Sequence, residues 1–155
     1  MSDTRIRLGH AAIITPDLDR LRRFYEHTLR LEVVAEDVPP DAAFTRLAAF
    51  SDGRSVALLV FEQPDVELVT GQPFGGRGPI DHLAFVVEDP VAFDAAARRL
   101  VDAGASSGEV RPLGPTLSLH FVDPDGRPLN LQRPNPDWDP ATIGADPGLH
   151  ALIAG

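Results

Sequence analysis

Two histidines occupy equivalent positions in the two halves of the chain, and their chemistry suits a functional site. His10 lies in the apolar segment 6–14 and His82 in the apolar segment 80–87. Their offset is 82 − 10 = 72 residues, close to half of the 155-residue chain. An imidazole binds metal ions and exchanges protons near neutral pH. The repeat therefore predicts a duplicated module with one pocket histidine in each half.

Each histidine segment is followed by a helical pattern. Apolar residues recur at helical spacing over residues 17–31 and 91–103, and Asp89 followed by Pro90 is typical of a helix start. Further strands are predicted at residues 32–36, 44–50, 56–61, 109–113, 117–122 and 129–132. Two copies of strand, helix and three strands predict an α+β fold, in which two βαβββ modules form an eight-stranded, cup-like mixed sheet with helices outside.

The boundaries follow from composition. We predict a single domain over residues 1–133, built from module 1 (5–62) and module 2 (79–133). A polar segment rich in Gly and Pro joins them at residues 63–78, and a tail follows at 134–155.

The charge of the chain limits its partners. The formal net charge is −9, which disfavours a nucleic acid or an anionic membrane surface as a partner. The absence of cysteine excludes disulfides and thiolate metal sites. No signal peptide or membrane span is recognisable, so we expect a cytoplasmic protein.

Four motifs in order resemble the vicinal oxygen chelate superfamily, which includes glyoxalase I, extradiol dioxygenases, fosfomycin-resistance proteins and bleomycin-resistance proteins. The matching segments are residues 9–13, 24–26 followed by Leu29 and Leu31, 81–85, and 123–126 followed by 129–131. The resemblance implies a small-molecule substrate or ligand and a homodimer. It also implies a divalent metal ion (Fe, Mn, Ni or Zn) held by the first and last strands of each module.

The metal ligand set implied by the resemblance is incomplete. His10 and His82 match the first-strand ligands, and Asn130 matches the last-strand position of module 2. Its counterpart in module 1 is Ala57 or Leu59, and neither side chain can bind a metal. Asn130 offers a neutral oxygen, which holds a dication less tightly than a carboxylate does.

His120 is a further candidate metal ligand that offsets this deficit. Strand alternation places Ser118 and His120 on the face opposite Leu119 and Phe121. Several imidazoles in one cavity suit a divalent transition metal, and Ser118 is a candidate substrate contact. The alternative is that these histidines are structural or surface residues.

The remaining candidate substrate contacts lie in module 1 and the linker. Leu59 and Phe61 are expected on an apolar wall of the binding cavity. Arg77 is expected to meet an anionic group of the substrate, and the alternative is that it belongs to a solvated linker. The superfamily often has glycine after the first helix, where this chain has Arg30, so a left-handed backbone there would be strained.

Two functional hypotheses follow. The first is a metal-dependent enzyme that acts on a small oxygen-chelating substrate by isomerase, lyase or dioxygenase chemistry. Classical glyoxalase I chemistry is disfavoured because both expected carboxylates are missing. The alternative is a metal-free protein that binds or sequesters a small molecule, as bleomycin-resistance proteins do, and the net charge of −9 favours a cationic ligand.

Overall fold

The chain forms two compact units, Met1–Glu67 and Leu68–Gly155. A computed structural model describes residues 8–40, 43–72, 80–139 and 141. The division between the units falls inside the predicted linker. No helix among these described residues is long and apolar enough to cross a membrane.

In its described residues, the first unit contains one α-helix, a π-helical turn and one four-stranded mixed sheet. Its elements are β1 (Ala11–Thr15), α1 (Leu18–Phe24), a π-helical turn (Tyr25–Leu29), β2 (Glu32–Asp37), β3 (Arg46–Ser51) and β4 (Val56–Glu62). The sheet order is β1-β4-β3-β2. β1 runs parallel to β4, and the other neighbouring strands are antiparallel.

The second unit repeats this arrangement. Its elements are β5 (Leu83–Val86), α2 (Pro90–Asp102), β6 (Val110–Leu113), β7 (Thr116–Val122) and β8 (Pro128–Pro134). The sheet order is β5-β8-β7-β6, again with the first and last strands parallel. The repeated order confirms the predicted α+β fold with two βαβββ modules.

Both α-helices begin at an aspartate that caps the first turn. The Asp17 side chain accepts a hydrogen bond from the Arg20 backbone N–H at 2.9 Å, and Asp89 accepts one from the Ala92 N–H at 2.7 Å. Pro90 occupies the first turn of α2, where it costs no backbone hydrogen bond. The predicted helix start at Asp89 is therefore confirmed.

The two histidine-bearing strands are shorter than predicted. The strand expected over residues 6–14 begins at Ala11, and the strand expected over 80–87 begins at Leu83. Each of these strands pairs with the last strand of its module, and that pairing begins at Ala11 and Leu83. Each histidine therefore lies immediately before its strand. The other predicted elements agree within two residues at each end.

Each helix covers one face of its sheet. In module 1, α1 packs against β4, and in module 2, α2 packs against β8. The buried apolar residues of module 2 are Phe93, Ala96, Leu100, Leu119, Phe121, Leu129 and Leu131. Because strand side chains alternate between faces, Ser118 and His120 on β7 and Asn130 on β8 point to the opposite face of the sheet. That open face carries the candidate site.

The turn after the π-helical segment is strained. Arg30 ends this segment with φ 63° and ψ 30°, in the left-handed region. It is the sole non-glycine residue with positive φ in the described part of the chain. A side chain with a Cβ is disfavoured in this conformation, and glycine is the usual solution.

We predict that Arg30→Gly increases the free energy of unfolding by about 1 kcal/mol, because relief of left-handed strain outweighs the added entropy of the unfolded chain. Urea denaturation measures the change. Arg23→Gly is the matched control, since Arg23 is an exposed residue inside α1, and it should lower stability by about 1 kcal/mol. A destabilised Arg30→Gly variant would contradict the prediction.

Candidate functional site

A cavity of about 540 Å³ lies in module 2, on the sheet face opposite α2. Its polar lining includes His82, Ser118, His120 and Asn130. Ser118, His120 and Asn130 alternate along β7 and β8 with buried apolar residues that pack toward α2. Strand periodicity therefore explains why these three residues share the open face. The structure thus brings together four of the residues predicted from the sequence.

His120 and Asn130 form a cross-strand pair in this cavity. They lie opposite each other in the register between β7 and β8. The distance between His120 Nδ1 and Asn130 Oδ1 is 3.2 Å. An amide oxygen only accepts hydrogen bonds, so the imidazole donates through Nδ1–H and the lone pair of the neutral ring lies on Nε2. Asn130 is 8% exposed, whereas His120 is exposed toward the cavity.

The backbone around His120 is fixed by the loop after α2. The Ser106 hydroxyl donates to the His120 carbonyl oxygen at 2.6 Å. Ser106 also accepts a hydrogen bond from the Gly108 N–H at 3.2 Å. This loop lines the cavity beside His120, so it both holds the strand and supplies polar groups to the site.

His82 is oriented by the preceding residue. Its Nδ1–H donates to the Asp81 carboxylate at 2.9 Å, and the two side chains are 27% and 22% exposed. Because a carboxylate only accepts hydrogen bonds, this contact orients the ring and holds the proton of the neutral imidazole on Nδ1. The sequence analysis did not assign Asp81 a role, although its adjacency to His82 was visible.

The strand register identifies the module 1 counterpart of Asn130. In module 2, Asn130 pairs with Ala84, two residues after the histidine. In module 1, the residue two positions after His10 is Ala12, and it pairs with Leu59. Of the two positions left open by the sequence, the structure therefore selects Leu59 as the equivalent of Asn130.

The module 1 candidates lie on the open face of their own sheet. Leu59 and Phe61 alternate with the buried residues Leu58 and Val60. The Phe61 ring lies 4.7 Å from the ring of Phe44, measured between centroids. His10 is exposed immediately before β1. Arg77 lies outside the described residues.

The donors that the structure places do not fit the usual four-ligand metal centre. Leu59 presents hydrocarbon at a ligand position, and the Asn130 oxygen is engaged by His120. Among the residues that the structure describes, no group of three or more His, Asp or Glu side chains is arranged to hold a metal ion.

A charged pair at the rim of the cavity was missed by the sequence analysis. Arg111 donates from Nε and Nη2 to the two carboxylate oxygens of Glu109, each at 2.9 Å. These hydrogen bonds, and the charge of the guanidinium, hold the pKa of Glu109 below its ordinary value. The available signal was the spacing of two residues, which places both side chains on one side of an extended segment.

Comparison with known proteins identifies the family. Residues 7–131 match the model of the Glyoxalase/Bleomycin resistance protein/Dioxygenase superfamily. The chain therefore belongs to this superfamily, as the resemblance to vicinal oxygen chelate proteins predicted. It is also 33% identical over 144 residues to the ethylmalonyl-CoA/methylmalonyl-CoA epimerase of Cereibacter sphaeroides. The aligned region covers 82% of this chain and 97% of that protein.

Solved structures share the fold. The glyoxylase/bleomycin resistance protein/dioxygenase domain from Frankia sp. EAN1pec has a TM-score of 0.71 at 22% identity, covering 85% of this chain and 100% of that chain. The fosfomycin resistance protein FosX from Listeria monocytogenes has a TM-score of 0.60 at 18% identity, covering 86% and 98%. At these identities the likeness establishes the fold alone.

We predict that Asn130→Glu strengthens the binding of divalent metal ions on the order of tenfold, because a carboxylate adds charge and a stronger oxygen donor beside His82 and His120. Calorimetric titration with Zn²⁺ or Ni²⁺, after treatment with a chelator, measures the change. Asn130→Gln is the neutral control and should bind as the wild type does. Equal affinity of the wild type and Asn130→Glu would show that this position does not face a metal-binding centre.

Proposed function

We propose that the chain is an isomerase that removes and returns a proton next to the carbonyl group of a small substrate bound in the module 2 cavity. The observation that carries the proposal is the pair of imidazoles, His82 and His120, that line one cavity, each with its Nδ1 within hydrogen-bond distance of an acceptor oxygen. The substrate class is suggested by the 33% identical relative, which is named as an acyl-CoA epimerase.

His82 is the proposed general base. Asp81 holds its proton on Nδ1, so the neutral ring presents the basic lone pair on Nε2. When Nε2 takes the substrate proton, the ring becomes a cation and the neighbouring carboxylate stabilises it. General acid–base catalysis of this kind contributes about 10²–10⁴-fold to a rate.

His120 is the proposed second acid–base group. Epimerisation requires that a proton leave one face of a carbon and arrive on the other. In the reacting form, Nε2 of His82 is unprotonated and takes the substrate proton, while Nε2 of His120 carries a proton and gives it to the opposite face of the carbon. After one turnover the two rings have exchanged protonation states, and the reverse reaction or proton exchange with water restores them.

His82 precedes β5 and His120 lies on β7, with β8 between these strands, and both side chains line the cavity. Ser118 and Asn130 line the same cavity and would hydrogen-bond to the carbonyl oxygen as negative charge develops. No step in the proposal uses a metal ion.

We predict that the wild-type protein catalyses the exchange of the C-2 proton of methylmalonyl-CoA for deuterium in D₂O, measured by NMR. His82→Gln should slow the exchange by about 100-fold or more, because the base is removed. His27→Gln is the matched control, since His27 is exposed on the π-helical turn, and it should retain the wild-type rate.

If the wild-type protein exchanges the C-2 proton no faster than buffer alone does, the isomerase proposal is contradicted. Full activity of a folded His82→Gln variant would contradict the role of His82. Circular dichroism of each variant separates loss of the base from loss of the fold.

A metal-free binding protein is the second candidate function. It is favoured by Leu59 at a ligand position and by the neutral Asn130, because a protein that only sequesters its ligand needs no metal. The net charge of −9 favours a cationic ligand in that case. Under either function, we also propose a homodimer, which the resemblance to the superfamily implies, and a cytoplasmic location.

A further inference from the structure

We propose that Arg111 binds an anionic group of the ligand at the rim of the module 2 cavity, by exchanging the Glu109 carboxylate for a carboxylate or phosphate of the ligand. The inference rests on the proposed function in placing the ligand in this cavity. It goes further because it assigns the charge class of the ligand and the residue that selects it.

The strand register places Arg111 at the cavity. Arg111 on β6 lies opposite Ser118 on β7, and both residues line the cavity. Among the cavity-lining residues in the part of the chain that the structure describes, Arg111 is the sole arginine or lysine. An anionic ligand that enters this cavity therefore meets one permanent positive charge, the guanidinium of Arg111.

The present partner of Arg111 is easily exchanged. The Arg111 and Glu109 side chains are 69% and 60% exposed, so water competes for every group in the pair. Exposed ion pairs of this kind contribute little to stability. The planar guanidinium already binds a carboxylate with two parallel hydrogen bonds, and this same geometry matches the carboxylate or phosphate of a ligand.

The overall charge of the protein makes a local cation necessary for an anionic ligand. With a formal net charge of −9, the chain repels anions at long range. Glu109 further lowers the affinity for an anion, because its carboxylate competes with the ligand for the same guanidinium. Arg111 and Glu109 therefore affect the affinity for an anion in opposite directions.

An acyl-CoA ligand offers two sources of negative charge, the carboxylate of its acyl group and the phosphates of its carrier. Methylmalonyl-CoA carries both, propionyl-CoA lacks the acyl carboxylate, and methylmalonate lacks the phosphates. If Arg111 binds the acyl carboxylate, its replacement weakens the binding of methylmalonyl-CoA and of methylmalonate. If Arg111 binds phosphate, its replacement weakens the binding of the two CoA compounds.

The test is calorimetric titration of the full-length chain with these three probes. Arg111→Gln should weaken the binding of methylmalonyl-CoA by about tenfold or more, because a charge-assisted bidentate contact is lost. Glu109→Gln should strengthen it several-fold, because the internal competitor is removed. Arg54→Gln is the matched control, since Arg54 is exposed in the β3–β4 turn of the other module, and it should bind as the wild type does.

Wild-type affinity in Arg111→Gln would overturn the proposal, and so would a failure of all three probes to bind the wild-type protein. Tighter binding of these anionic probes by Arg111→Gln together with weaker binding by Glu109→Gln would also overturn it, because the guanidinium would then oppose the binding of the anion. Deuterium exchange tests the isomerase function separately. Binding that depends on Arg111 without exchange would support this inference and reject the isomerase.

Discussion

The parallel pairing of the first and last strands in each module determines the positions of Asn130 and Leu59. In module 2 this register sets Ala84 beside Asn130, and β7 then sets His120 opposite Asn130. The helix covers the other face of the sheet, so apolar residues fill one face and polar residues collect on the open one. A shift of the register by one residue would exchange the two sets.

The two modules share this geometry but differ in chemistry. The open face of module 2 carries imidazole, amide and hydroxyl groups around a cavity. The equivalent strand of module 1 carries Leu59 and Phe61 on its open face. The two modules share the strand order, a capping aspartate and one histidine each, while the polar groups that line a cavity lie in module 2. This asymmetry explains why the usual metal ligand set is incomplete.

Local patterns predicted much of the fold. The repeated histidines, the cap at Asp89 and the helical spacing are readable from short windows. The structure contains both helices, and each histidine immediately precedes a strand. The starts of β1 and β5 were placed too early because an apolar segment does not reveal where its partner strand begins. The choice between Ala57 and Leu59 likewise required the register. Glu109 and Arg111 were missed because their roles depend on the cavity that long-range pairing creates, whereas Asp81 contacts the adjacent His82 and could have been found from the sequence.

The central claim is that the ligand binds in module 2 against His82 and His120. The most direct test is NMR of the histidine ring nitrogens during titration with methylmalonyl-CoA. The account predicts that the signals of His82 and His120 shift on binding, while that of His27 on the exposed helical turn does not. Saturable binding that leaves the His82 and His120 signals unchanged would contradict it, because the ligand would then occupy a different site.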